Sequence, residues 1–157
     1  MSELEDLYQE LILDHNARPR NFGTLPEPTH VARGHNPLCG DQLDLQLQLD
    51  ADGIVQAVRF NGQGCAISRA SASLMTEFML GKQIELVCQV MRHFRALVTG
   101  GEDASDAGMA AAGMGKLAAL AGVRHFPMRV KCATLAWHTL QTALAKPGGS
   151  VSTEATS

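Results

Sequence analysis

Leu43-Asp44-Leu45-Gln46-Leu47-Gln48-Leu49, then Asp50-Ala51-Asp52-Gly53, then Ile54-Val55-Gln56-Ala57-Val58-Arg59-Phe60: this run decides the fold class. Leucine alternates with a polar residue through the first segment, the period of a strand with one buried face. The acidic, glycine-ended segment reads as a turn, and Ile54 to Phe60 as the returning strand. Helical periodicity lies on both sides of this hairpin. Upstream, Leu4, Leu7, Tyr8, Leu11 and Ile12 share one helical face, and Ser2 with Glu5 has capping-box spacing, so a helix is predicted from about Glu3 to His15. Downstream, Ile67, Ala70, Ser71, Leu74, Met75 and Phe78 form an apolar stripe. A further helix is predicted from about Ile84 to Val98, with Ile84, Val87, Cys88, Met91 and Phe94 inward. Cys132, Leu135, Ala136, Thr139, Leu140 and Ala143 mark a last helix, with Cys132 near its start. Pro19, Pro26, Pro28 and Pro37 keep residues 17–37 extended or looped. Residues 100–115 read as a Gly- and Ala-rich loop, followed by a short helix near Lys116 to Ala121 that Pro127 closes. The expected fold is α+β: a small antiparallel three-stranded sheet with helices packed on one face. One domain is expected over 1–145. The tail, 146–157, is Pro, Gly, Ser and Thr and reads as disordered.

A chain of 157 residues, 45% of them apolar, buries a core without disulfide staples. The net charge of −3 lacks the basic excess of a nucleic-acid binder. The start of the chain carries Glu3, Glu5 and Asp6 rather than the basic residues and apolar core of a signal peptide. The longest small-residue run, Met109 to Val123, is broken by Lys116 and by glycines, so no membrane span is expected. The cytoplasm is the expected compartment. There, four cysteines point to metal or redox chemistry rather than to structural disulfides.

Cys39 stands just before the first hairpin strand, Cys65 just before the Ile67–Phe78 helix, and Cys132 near the start of the last helix. Element boundaries of this kind expose backbone N–H groups and helix-dipole ends that stabilise thiolate, the form of sulfur that binds metals and attacks sulfur. Asp41, two residues after Cys39, offers a hard oxygen ligand able to complete a tetrahedral site. Cys88 falls mid-helix on the apolar stripe and reads as core. None of the cysteines forms the C-x-x-C pair of ordinary zinc modules, so spacing leaves a shared metal site and separate small core residues both open.

Three segments bring in a resemblance. His35-Asn36-Pro37-Leu38-Cys39-Gly40-Asp41 resembles the N-P-x-C-G-D signature of the U-type iron–sulfur scaffold family, related to the N-terminal domain of NifU. Gly62-Gln63-Gly64-Cys65-Ala66-Ile67-Ser68, running into Ala70-Ser71-Ala72-Ser73, resembles its second cysteine segment. Arg129-Val130-Lys131-Cys132-Ala133-Thr134-Leu135-Ala136-Trp137 resembles its third. The stretch Ile12-Leu13-Asp14-His15 through Pro19-Arg20-Asn21 matches the first helix and its exit. The resemblance spans about residues 4–145 and implies the α+β fold already expected. It implies Cys39, Asp41, Cys65 and Cys132 as the metal ligands. Where the IscU-type branch has a ligand histidine before the third cysteine, this chain has Lys131, which has no lone pair to offer. Residues 100–120 are an extra segment between the second and third cysteines. Both features resemble the SufU branch. That resemblance implies a bound Zn2+, a SufS-type cysteine desulfurase as sulfur donor, and Cys39 as persulfide acceptor, passing sulfur to a downstream assembly machine or apo acceptor. On this reading the chain is a zinc-dependent sulfurtransferase. The alternative is a non-enzymatic scaffold holding Fe2+ or a transient [2Fe–2S] cluster on Cys39, Cys65 and Cys132 with Asp41.

Other motifs fall away. His15, His30, His35, His93, His125 and His138 are not grouped at ligand spacing, and His93 and His138 read as surface or satisfied helix residues. Gly62-Gln63-Gly64 fails the dinucleotide fingerprint because Ile67 stands where a glycine belongs. Gly115-Lys116 fails as a phosphate loop at Ala110 and Leu117. Arg129 and Lys131 read either as electrostatic or docking groups or as a solvated helix start. The 100–120 segment reads either as a docking or lid element or as a mobile loop.

Overall fold

The computed structural model describes residues 3–36, 40–99, 123, 126–145 and 149–152. The predicted hairpin is β2 (Asp41–Leu49) and β3 (Val55–Gln63), paired antiparallel with Leu45 opposite Phe60 and Leu47 opposite Val58. Leu43, Leu45 and Leu47 are buried, as the alternation requires, whereas Leu49 is only half-buried. The register slips at Gln48/Leu49, where the strand ends, and Leu49 packs at the edge of the core. Within the stretch read as extended, β1 (His30–Asn36) pairs antiparallel with β2, setting Asn36 opposite Asp41.

The α+β expectation holds, with three antiparallel strands, but the sheet gains a fourth member. A short strand, β4 (Gly149–Ser152), adds parallel to β1, giving the order β3-β2-β1-β4. The disorder expected from residue 146 therefore does not extend to 149–152. Composition says that this tail cannot build a core. It says nothing of backbone pairing, and the open edge of β1 offers unpaired N–H and C=O groups to any segment free of internal proline.

The described residues hold four helices: α1 (Glu3–Ala17), α2 (Ala66–Met79), α3 (Ile84–Thr99) and α4 (Pro127–Ala145). On the leucine face, α4 lies against β1 and β2 and α2 against β3, while α1 packs on α2 and α3 on α4. Helix α2 is the central element: every residue from Ala70 to Thr76 is buried, more than the single predicted stripe. Its buried hydroxyls, on Ser71, Ser73 and Thr76, are satisfied internally. His15 on α1 is fully buried, with Nδ1 2.6 Å from Ser73 Oγ, and the backbone N–H of Arg20 donates to the same hydroxyl at 2.8 Å. The Ile12–Asn21 stretch is thus tied to α2 by a polar contact buried at His15. Trp137 and Phe94 stack at 5.3 Å between α4 and α3. Where α4 crosses β1, Gly34 has no alternative, because a Cβ there would overlap Thr139 Oγ1. Among the described residues no helix is long and apolar enough to cross a membrane.

Candidate metal centre

Helix α2 begins at Cys65, whose extended backbone (φ −70°, ψ 169°) makes it the N-cap. Serine or aspartate is the usual choice there; here sulfur takes the role and accepts from the backbone N–H of Ser68 at 3.5 Å. Asp41 opens β2 and comes up against this helix start. Its Oδ1 accepts the backbone N–H of Cys65 at 2.9 Å, and its Oδ2 accepts the hydroxyl of Ser68 at 2.7 Å and lies 3.7 Å from Cys65 Sγ. Two glycines permit the approach. A Cβ on Gly62 would overlap the Gln42 carbonyl of the neighbouring strand, at a φ of +140° that side chains avoid. One on Gly64 would come 3.0 Å from Asp41 Oδ1. The Gly62-Gln63-Gly64 pattern is therefore a device for packing a carboxylate against a helix N-terminus.

Cys132 reaches the same point from the third side. It lies in the second turn of α4, near the start as expected, because Pro127 opens this helix. Proline at a first helical position costs nothing, since the N–H it lacks has no partner there. Cys132 is 3% exposed, and the Asn36 side-chain amide donates toward its Sγ at 3.7 Å. Ser68 Oγ lies 3.2 Å from the Cys132 carbonyl oxygen, so this serine touches all three arms. Ligand atoms of Asp41, Cys65 and Cys132 all lie within 4.8 Å of one another. A zinc ion, with Zn–S near 2.3 Å and Zn–O near 2.0 Å, sets tetrahedral neighbours about 3.3–3.8 Å apart, so the three fit one ion with little adjustment. The donor set of thiolate and carboxylate is also one zinc accepts.

The electrostatics favour thiolate at Cys65. A hydrogen bond from the Cys132 thiol lowers its pKa to about 6, and the backbone N–H groups of Ser68 and Ile67 act the same way. Burial and the Asp41 charge oppose this but do not win. At Cys88 burial pushes the thiol up instead. That cysteine is half-buried and packs at the edge of the core, away from the cluster, as its place on the α3 stripe predicts.

Of the four predicted ligands, three converge. Cys39 lies outside the described residues, as do Ser2, the predicted Lys116–Ala121 helix and the Gly115-Lys116 pair. Lys131 is half-buried beside Cys132, and the Arg129 guanidinium lies 4.6 Å from the centre of the Phe126 ring. His93 is exposed and His138 half-buried, its pKa lowered by burial and by Arg95. Two participants went unread in the sequence, Ser68 and Asn36. The signal for Ser68 is its offset: a hydroxyl three residues after an N-cap sits on the first turn, facing whatever the cap faces.

Residues 7–133 match the NifU-like N-terminal domain family. This chain belongs to that family. It is 41% identical over 150 residues to the zinc-dependent sulfurtransferase SufU of Bacillus subtilis (strain 168), covering 94% of this chain and 96% of that protein. It is 37% identical over 146 residues to the iron–sulfur cluster assembly scaffold protein IscU of Streptococcus pyogenes serotype M1, covering 93% of this chain and 87% of that one. Among solved structures, it resembles an iron–sulfur cluster assembly scaffold protein of the SUF system from Fervidobacterium islandicum AW-1. The TM-score is 0.78 at 32% identity, over 89% of this chain and 98% of the other.

Proposed function

We propose that this chain is a SufU-type sulfur acceptor in iron–sulfur cluster assembly, with zinc held by Cys39, Asp41, Cys65 and Cys132 and with Cys39 as the accepting thiol. The convergence of Asp41, Cys65 and Cys132 at the first turn of α2 carries this reading. Near-full-length similarity to a zinc-dependent sulfurtransferase supports it, and so does Lys131 in the position where the scaffold branch has a histidine. Zinc, when bound, keeps coordinating thiols deprotonated. The protein's own residues do the rest. The Cys39 thiolate attacks the outer sulfur of a cysteine persulfide presented by a SufS-type desulfurase. A bond forms between Cys39 Sγ and that sulfur, the donor's S–S bond breaks, and the donor cysteine leaves as thiolate. Asp41, an oxygen among sulfurs, is the arm most readily exchanged. The new persulfide then passes to a downstream assembly protein in the reducing cytoplasm.

Incubation with a SufS-type desulfurase and 35S-labelled cysteine tests this. Label is expected on the wild-type chain and absent from Cys39→Ser, with the fold of the variant intact by circular dichroism. Label persisting on Cys39→Ser overturns the acceptor assignment. Relatives named as scaffolds share the fold, so anaerobic reconstitution with iron and sulfide separates the two readings. A colourless protein retaining one zinc fits sulfur transfer. A visible [2Fe–2S] spectrum and cluster delivery to an apo-ferredoxin contradict it.

A further inference from the structure

We infer that Ser68 is the positioning residue of this site and that its hydroxyl governs how tightly the Asp41 arm is held. This rests on the metal reading above. A carboxylate offers two oxygens, and both of Asp41's carry a donor from the first turn of α2: Cys65 N–H on Oδ1 at 2.9 Å and Ser68 O–H on Oδ2 at 2.7 Å. The two donors differ in kind. The Cys65 N–H belongs to the helix cap and cannot turn without unwinding α2. The Ser68 hydroxyl is a rotor with a second acceptor in reach, the Cys132 carbonyl at 3.2 Å. With its proton on Asp41 it fixes the carboxylate against the cluster; turned to Cys132 it leaves that oxygen free to swing. The same residue also donates its backbone N–H to Cys65 Sγ at 3.5 Å, so it orders two ligand residues at once. Asp41 is 1% exposed, so water is a poor substitute for a lost hydroxyl.

Groups that orient a metal's ligands without touching the metal typically change affinity about 10–100-fold when removed. Zinc dissociation from the purified full chain, followed with a chromophoric chelator, reads this directly. Ser68→Ala is expected to release zinc about tenfold faster than wild type, with an unchanged circular dichroism spectrum and with Ser68→Thr restoring the slow rate. Because Ser68 acts through Asp41, Ser68→Ala placed on Asp41→Ala should change the rate less than about twofold further. Wild-type release from Ser68→Ala overturns the proposal. So does equal acceleration in both backgrounds, which marks Ser68 as a generally stabilising helix residue. A wild-type chain that holds no zinc overturns the metal reading itself, and with it this role; that result is separate from the variant comparison.

Discussion

Cys65 and Cys88 are both half-buried thiols on neighbouring helices, and their surroundings drive them apart. At Cys65 the Cys132 thiol and two helix-start N–H groups bring the pKa to about 6. At Cys88, mid-helix and without such donors, burial raises it. A lowered pKa makes the thiolate dominant above about pH 6, and a raised one keeps the thiol protonated through neutrality. In chelator-treated protein at pH 7, iodoacetamide should therefore label Cys65 well before Cys88, by peptide mass spectrometry. Lowering the pH to 5 should slow the Cys65 reaction about tenfold, as its thiolate is protonated. Comparable labelling of both at pH 7 would contradict the electrostatics described. Much of this was legible beforehand. Periodicity alone set Cys88 on a core stripe and left Cys65 at a helix boundary. The meeting of Cys65 with Asp41 and Cys132 was not legible from spacing, because no local rule brings together residues 24 and 67 positions apart in the chain. Family resemblance supplied that grouping, and Ser68 and Asn36 escaped both routes because their roles exist only through other side chains.

At the scale of elements, the hairpin was readable because strict alternation over Leu43–Leu49 allows only one register, whereas β4 was not. Its four residues carry no alternation and depend on the open edge of β1. The depth of α2's burial was also hidden, since Ser73 and Thr76, off the predicted stripe, look like solvent residues until their hydroxyls meet His15 and Ser73 O. Element contacts predict two glycine effects. Gly34→Ala forces a methyl into Thr139 where α4 rests on β1, and overpacking of this kind costs about 1–3 kcal/mol. Thermal denaturation should show a loss of several degrees, with Thr139→Ala in the same chain recovering part of it. Gly62→Ala presses on the Gln42 backbone at the strand end that carries Asp41, so it should weaken zinc binding as well as stability. Titration with a competing chelator checks this, and unchanged affinity would mean that the close β2–β3 approach does not position the ligand.

Over the whole molecule, the cluster joins three elements at one point: β2 through Asp41, α2 through Cys65 and α4 through Cys132. A metal bound by the folded chain at 100 times its dissociation constant adds about 2.7 kcal/mol of stability. For a chain of this size that corresponds to about 5–10 °C in Tm, a difference that chelation should remove in wild type but not in Cys65→Ser/Cys132→Ser. Equal chelator sensitivity in the double variant would place the metal elsewhere. The most direct measurement is zinc K-edge X-ray absorption on protein purified without added metal, together with its metal content. One zinc per chain in a shell of three sulfurs and one oxygen is the expected result, with the oxygen lost or replaced by water in Asp41→Ala. No zinc, or a shell of nitrogen or of four sulfurs, would contradict a centre built from Cys39, Asp41, Cys65 and Cys132.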